Sequence, residues 1–247
     1  MRKALGFLLA GLMMVPAVAA YGPDDLPEQA GDYPVPGRSD MRMRVFVYEP
    51  RAGRPGVVVD KSLACVDPDQ NDLVAPAGWK LPVGNWRYKL NVGSVPSSVG
   101  GSNLGTIVKD SFGPWQSAIS NQVNFVYDGE TGVSRSALDW QNVITWGRTQ
   151  GSALAVTYVR YYTATGLVAD VDTVMNKKFT WSLSQCGLSN SYDAQNIMIH
   201  ELGHWMGLDD EYTDNFLDNT MFGYGSRGET KKNTLEAGDE NGVRAIY

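Results

Sequence analysis

Histidine and positive charge are both scarce in this sequence. Its 247 residues include only two histidines, and the 27 acidic residues outnumber the 21 lysines and arginines, which gives a net charge of -6. A chain of this charge is a poor partner for a phosphate backbone, so we expect no nucleic-acid partner. The hydrophobic content of 43% is that of an ordinary globular protein and favours one main domain.

Long hydrophobic runs are scarce as well, and none after residue 20 is long enough to cross a bilayer. Residues 4–15 form an apolar run that follows two basic residues and precedes the small residues 17–20. This order is typical of a secretory signal peptide, whereas a membrane span needs about 20 apolar residues. We expect a signal peptide at residues 1–20, cleaved near Ala20, and a secreted, extracellular protein without stable membrane association. An uncleaved membrane anchor is the alternative.

Cysteine is limited to Cys65 and Cys186. In an exported chain two cysteines most simply pair with each other, because the compartment is oxidising. The sequence therefore predicts one disulfide between them.

The composition and the pattern of apolar residues change near residue 80. Residues 21–80 are rich in Pro, Gly and Asp and contain one strand-like alternation at 41–48, so we interpret them as an N-terminal extension. This extension is a propeptide, a small appended β-element, or both. Residues 81–247 alternate strand and helix signals, which predicts an α+β (α/β-like) domain with a mixed sheet carrying helices. The predicted elements are strands at 86–92, 123–127, 143–146, 153–162 and 167–175 and a helix at 104–119.

The chemistry is concentrated in HELGHWMGLDD, residues 200–210, which contains both histidines. An N-cap at residues 191–193 and an apolar face predict that this segment begins on a helix. At positions i and i+4 of a helix, His200 and His204 project from one face and can reach a single zinc ion. Glu201 is then placed to take a proton from a metal-activated water.

Gly207 is predicted to end this helix, because glycine readily adopts the left-handed conformation that turns a chain. The turn lets Asp210 return toward the metal as a third ligand, and a carboxylate oxygen is an acceptable zinc ligand. Asp209 and Glu211 are the competing candidates. An accidental pattern on an ordinary helix is the alternative reading. No histidine remains to build a second, histidine-bound structural zinc site.

The segment resembles the zinc-binding consensus of metzincins, H-E-x-x-H-x-x-G-x-x-[HD]. TMFGY at residues 220–224 resembles a Met-turn, and residues 235–247 follow the matrixin ending L-x-x-x-D-x-x-G-[IV]-x-x-[IL]-Y. WRY at 86–88 resembles the first strand of a matrixin catalytic domain, and DVDTVMN at 170–176 resembles a stretch common in bacterial members. The resemblance covers about residues 81–247. It implies a metzincin catalytic domain with a twisted five-stranded mixed sheet, three helices and a cleft across a catalytic zinc ion.

The sequence departs from the usual matrixin pattern at Asp210, where the family normally has a third histidine. The resemblance implies that Met221 forms an apolar floor beneath the metal, and the alternative is one more core methionine. Tyr224 stands three residues after Met221, whereas some metzincins have a tyrosine two residues after, so we assign it no catalytic role.

An exposed sheet edge can hold an extended peptide by adding it as a further strand. Residues 152–157 resemble the edge strand that borders the matrixin cleft, which makes Leu154 and Ala155 candidate substrate contacts. A simple buried strand is the alternative.

Four acidic residues are candidate ligands for structural calcium, which matrixins commonly bind, because calcium prefers oxygen ligands. The alternative is that they are solvated loop acids. They are Asp170, Asp172, Asp209 and Glu211.

These observations predict a secreted zinc metalloendopeptidase that acts on proteins or peptides, and we expect a monomer. A catalytically inactive, zinc-stabilised extracellular binding protein of the same fold is the rival, although such a site has no need of Glu201 as a base. Cys65, in ACVDPD, faintly resembles the cysteine switch of matrixin propeptides. A thiolate bound to zinc, or two free thiols, is therefore the alternative to the disulfide with Cys186.

Overall fold

The computed structural model describes residues 26–27, 29–51, 65, 70–149, 151–183, 186–188 and 190–247. The predicted signal peptide at residues 1–20 lies outside this part of the chain. No helix among the described residues is long and apolar enough to cross a membrane.

The N-terminal extension contains two strands that pair as an antiparallel hairpin. They are β1 (Gly31–Val35) and β2 (Arg38–Pro50). The alternation that predicted a strand at 41–48 reflects two covered faces. Odd-numbered residues such as Met43 pack in a small apolar cluster on one face of the sheet, whereas Phe46 and Tyr48 join the main core on the other.

Five further strands form the mixed sheet that the family resemblance implied. They are β3 (Gly84–Leu90), β4 (Val123–Glu130), β5 (Val143–Gly147), β6 (Ala155–Tyr162) and β7 (Val168–Asn176). Their spatial order is β6-β7-β5-β3-β4. Only the β6–β7 pair within this set is antiparallel. Short strands β8 (Trp181–Ser182) and β9 (Tyr192–Asp193) pair separately, and β10 (Tyr224–Gly225) pairs with β2.

The hairpin extends this sheet, because β2 pairs antiparallel with β6 from Met41 opposite Tyr162 to Tyr48 opposite Ala155. The full sheet has eight strands. Residues 152–157 are therefore not an exposed edge in this chain, and Leu154 and Ala155 are fully buried. The expectation of a free edge was wrong because β2, from the extension, covers it.

Three helices complete the domain, as the resemblance implied, and confirm the α+β fold class. They are α1 (Leu104–Ala118), α2 (Ala194–Trp205) and α3 (Ala237–Arg244). The apolar spacing in α1 buries Ile107, Phe112 and Trp115 in the main core. Trp115 Nε1 also donates a hydrogen bond of 2.9 Å to the carbonyl oxygen of Ile199 in α2, which fixes α1 against the histidine-bearing helix.

Residues 70–81, which include the last part of the predicted extension, pack directly on the end of α2. The backbone N–H of Ala77 donates to the carbonyl oxygen of Gly207 at 2.7 Å, and the N–H of Asp209 donates to that of Ala75 at 2.9 Å. Trp79 is buried, and its Nε1 donates to the carbonyl oxygen of His204 at 3.2 Å. This segment therefore belongs structurally to the domain that follows it.

Cys65 and Cys186 form a disulfide in the structure, with their Cα atoms 5.7 Å apart. That separation lies within the range that an unstrained bridge requires. We expect thiol titration of the unreduced, denatured and metal-free protein to find no reactive thiol. Two reactive thiols would contradict the pairing, and reduction before titration provides the positive control.

Candidate metal centre

Helix α2 begins and ends at residues suited to those positions. The Asp193 side chain accepts a hydrogen bond of 3.0 Å from the N–H of Asn196, which satisfies a donor at the helix start. After the helix, Gly207 adopts a φ of 101°, and a Cβ at this position would overlap the carbonyl oxygen of Trp79. This turn requires glycine, and it directs the chain back so that Asp210 faces the helix.

Three side chains converge beside α2. Asp210 Oδ1 lies 3.1 Å from His200 Nε2 and 3.5 Å from His204 Nε2. One atom from each residue lies within 4.8 Å of the others. His200 and His204 are fully buried, and the Asp210 side chain is nearly so. Two imidazoles and a carboxylate at this spacing match a catalytic zinc site with three protein ligands.

Backbone carbonyls orient both imidazoles. Nδ1 of His200 lies 2.7 Å from the carbonyl oxygen of Thr220, and Nδ1 of His204 lies 3.0 Å from that of Leu208. A carbonyl oxygen can only accept, so each Nδ1 carries a proton and each ring turns its Nε2 toward Asp210. Burial lowers the pKa of His200 to about 4, which keeps this ring neutral, whereas at His204 the Asp210 carboxylate outweighs burial and raises the pKa.

The converging atoms lack other partners. Nε2 of His200, Nε2 of His204 and Oδ1 of Asp210 are buried without a hydrogen bond among the described residues. Burial alone would raise the pKa of Asp210, but the two histidines hold it below the usual value of a carboxylic acid. A carboxylate oxygen and two imidazole nitrogens that share one buried point without further hydrogen-bond partners are costly unless a cation binds there. The donor set therefore fits a zinc ion.

The acidic neighbours of Asp210 face elsewhere. Asp209 Oδ1 lies 3.3 Å from an Arg44 nitrogen, and Glu211 Oε1 accepts from the N–H of Ala75 at 3.0 Å. Tyr212, which no sequence pattern singled out, donates its hydroxyl to the second oxygen of Asp210 at 3.1 Å. Asp210 is thus the carboxylate that the structure brings to the two histidines.

Glu201 is fully buried and held by a relay of hydrogen bonds. Thr157 on β6 donates to Glu201 Oε2 at 2.6 Å and lies 2.7 Å from the Thr173 hydroxyl, which accepts from Trp205 Nε1 at 2.9 Å. Glu201 Oε1 has no hydrogen-bond partner in the described part of the chain. Burial raises the pKa of Glu201 to about 7. Sequence reasoning missed both threonines, and their one signal was a polar residue within strands that are mostly apolar.

The turn at residues 220–221 packs against α2 and helps to orient His200. Met221 is fully buried, and a Cβ at Gly203 in α2 would overlap its sulfur, so helix and turn are in close contact. The Asp239 carboxylate accepts from the N–H groups of Thr220 and Met221 at 2.9 and 3.1 Å. Asp239 thereby fixes the carbonyl of Thr220 that orients His200.

Two aromatic side chains of β2 pack on the two histidine rings. The Phe46 ring stacks on His204 with centroids 3.7 Å apart and planes 9° from parallel. The Tyr48 ring packs against His200 with centroids 4.1 Å apart. The Tyr48 hydroxyl also accepts a hydrogen bond of 2.8 Å from Lys232 Nζ. None of these contacts was predicted from the sequence.

The other calcium candidates are buried and bound by protein donors. Arg160 lies 2.6 Å from an Asp170 oxygen and 3.1 Å from an Asp172 oxygen. The hydroxyl of Ser136 donates to Asp172 at 2.8 Å, and the N–H of Trp140 donates to Asp170 at 2.8 Å. These two acids therefore form a buried ion pair with arginine and give a calcium site no support.

Comparison with known proteins gives one family. The family model described as matrixin, a peptidase family, matches residues 85–247. No match was found among curated proteins. The matched region contains the two histidines, Glu201, Asp210 and the turn at Met221, and it excludes β1 and β2. The chain therefore belongs to the matrixin family of metallopeptidases.

Proposed function

We propose that this protein is a secreted zinc-dependent endopeptidase that hydrolyses peptide bonds, with Glu201 as general base. The observation that carries the proposal is the convergence of His200, His204 and Asp210 on one buried point beside Glu201, whose Oε1 has no hydrogen-bond partner among the described residues. Secretion is supported by the signal-like pattern at residues 1–20 and by the disulfide, which is typical of oxidising compartments.

The residues of the chain have separate tasks in this reaction. A zinc ion bound by the three ligands would polarise the scissile carbonyl and lower the pKa of the attacking water. Glu201, through Oε1, takes a proton from that water and returns it to the leaving amine, so no covalent intermediate with the protein is required. Thr157 holds the other carboxylate oxygen, Oε2, and Oε1 has no hydrogen-bond partner among the described residues, so it is available to accept the proton.

Metal removal provides the test of this proposal. We expect the purified protein to contain one zinc ion per chain and to cleave an unstructured protein substrate. Dialysis against a chelator should abolish cleavage, and zinc should restore it whereas magnesium should not, because imidazole ligands suit zinc better. Cleavage that survives complete metal removal would contradict the proposed chemistry.

Thr157 is a positioning residue, and its hydroxyl can be removed without changing the shape of the side chain. We expect Thr157→Val to lower kcat by about 10-fold, with KM and zinc content unchanged, because Glu201 loses the bond that orients it. Thr157→Ser is the matched control and should retain most of the activity. Equal losses in both variants would assign Thr157 a packing role only.

The non-catalytic rival draws support from one observation, the burial of the whole site beneath Phe46 and Tyr48. A binding protein stabilised by zinc would need no access to the metal. Against this, the oriented Thr157–Glu201 pair has no purpose in a structural metal site, and burying an unsatisfied carboxylate oxygen is costly. The peptidase is therefore the function that the geometry supports best.

A further inference from the structure

Strand β2 lies where a peptidase of this architecture would receive an extended peptide. Without residues 31–50, β6 would be the outer strand of the five-stranded sheet and its outward backbone groups would be unpaired. A peptide can add to such an edge as a further strand. In this chain eight residues of β2, Met41 to Tyr48, pair with that edge. They lie outside the region that matches the family model.

The side chains of β2 close the site as well as the edge. Successive residues of a strand point to opposite faces, so Phe46 and Tyr48 point together toward α2 while Val47 points away. Phe46 covers His204 and Tyr48 covers His200, and both aromatic side chains are only 1% exposed. No substrate carbonyl can approach the metal ligands while these rings are in place.

The covalent connections of the chain leave the hairpin separable from the site. The disulfide joins Cys65 to Cys186, and residues 70–81, which follow Cys65 in the chain, pack on the end of α2. Residues 31–50 precede Cys65, so the disulfide does not attach the hairpin to the domain. The hairpin is held on the domain by strand pairing, by the two aromatic rings, and by polar contacts such as Arg44 with Asp209 and Lys232 with Tyr48.

We propose that β2 is an internal inhibitory strand that occupies the substrate cleft, and that β2 must leave β6 before a peptide can bind and be hydrolysed. The proposal rests on the proposed peptidase function. It differs from inhibition by a cysteine thiolate, because the groups over the histidines are aromatic rings and Cys65 is engaged with Cys186. The extension is then both an appended β-element and an inhibitor in one segment.

The test uses the zinc-loaded full chain and two readouts, hydrolysis of an unstructured peptide and the rate of zinc loss to excess dipicolinate. Phe46→Ala and Tyr48→Ala each remove one ring over a histidine, and Val47→Ala is the matched control on the opposite face. We expect both ring variants to raise kcat/KM and the zinc-loss rate by about 10-fold or more, because the open state becomes more populated. Val47→Ala should stay near the native rates.

A cross-link tests the same idea without removing a ring. Val47 and Val156 lie directly opposite each other in β2 and β6, on the face away from the metal. The double variant Val47→Cys with Val156→Cys should, when oxidised, lose zinc to dipicolinate about 10-fold more slowly than the native chain, and reduction with a phosphine should restore the rate. The native chain treated with the same phosphine controls for reduction of Cys65–Cys186.

The two readouts separate failure of this proposal from failure of the peptidase function. Faster zinc loss in ring variants that hydrolyse no peptide would support β2 as a cover over the metal site and would contradict the peptidase function. Folded ring variants with native rates in both readouts would overturn the inhibitory strand. If the ring variants do not fold, equal zinc loss from the cross-linked chain before and after reduction would overturn it instead.

Discussion

Replacing Glu201 with glutamine is expected to lower kcat/KM by roughly 1,000-fold or more while zinc content and thermal stability stay near those of the native chain. Glutamine has the same shape as glutamate, and its amide oxygen can still accept the hydrogen bond from Thr157. It cannot take a proton from water, and it is not one of the three ligands. The variant therefore removes the proton acceptor alone.

The measurement is best made in two backgrounds, the native chain and the Phe46→Ala chain. If β2 limits turnover, the second background offers the larger range over which a loss can be measured. Glu211→Gln is the matched control, because Glu211 accepts from the N–H of Ala75 and does not join the ligand cluster. Substantial hydrolysis by a zinc-loaded Glu201→Gln protein would remove Glu201 from the role of base.

Replacing Asp210 with alanine is expected to weaken zinc binding by at least about 100-fold, because the ion loses its one anionic ligand. His200 and His204 would remain oriented by the carbonyls of Thr220 and Leu208, so the loss measures the carboxylate and not a collapse of the site. Competition with a coloured chelator at neutral pH gives the affinity directly.

The neighbouring acids provide the controls for that experiment. Asp209→Asn and Glu211→Gln should retain zinc affinity close to that of the native chain, because their oxygens are bound to Arg44 and to the backbone of Ala75. A large loss in either control, together with unchanged affinity in Asp210→Ala, would move the third ligand to that residue.

The parts of the site that follow one another in sequence could be predicted from it. His200, Glu201 and His204 lie on one helix, and the helical period fixes which of their side chains share a face. Gly207 and Asp210 follow His204 closely in the sequence. The left-handed backbone at residue 207 favours glycine, and this preference can be recognised locally. Short-range geometry therefore sufficed to nominate the two histidines and to limit the third ligand to residues 209–211, whereas the preference for Asp210 came from the family resemblance.

The packing of β2 over the histidines and the hydrogen bonds from the threonines to Glu201 depend on contacts between segments that are far apart in the sequence. The alternation at residues 41–48 predicted a strand but not its neighbour, because a period of two carries no information about which strand pairs with it. The resemblance of residues 152–157 to the matrixin edge strand led us to expect a free edge at β6, whereas β6 lies between β2 and β7. Thr157 and Thr173 looked unremarkable because their roles appear only when β6, β7 and α2 are packed together.

The Cys65–Cys186 disulfide has a consequence for the unfolded chain. It joins residues 121 positions apart, and the loop that it closes contains helix α1 and strands β3 to β8. Cross-linking a loop of about 100 residues lowers the conformational entropy of an unfolded chain enough to stabilise the native state by about 4.7 kcal/mol in the chain-entropy model. Domains of this kind are stable by only about 5–15 kcal/mol in total. In a reducing compartment the chain would keep its packing contacts but lose this restriction, so a larger fraction of molecules would be unfolded and open to aggregation or degradation.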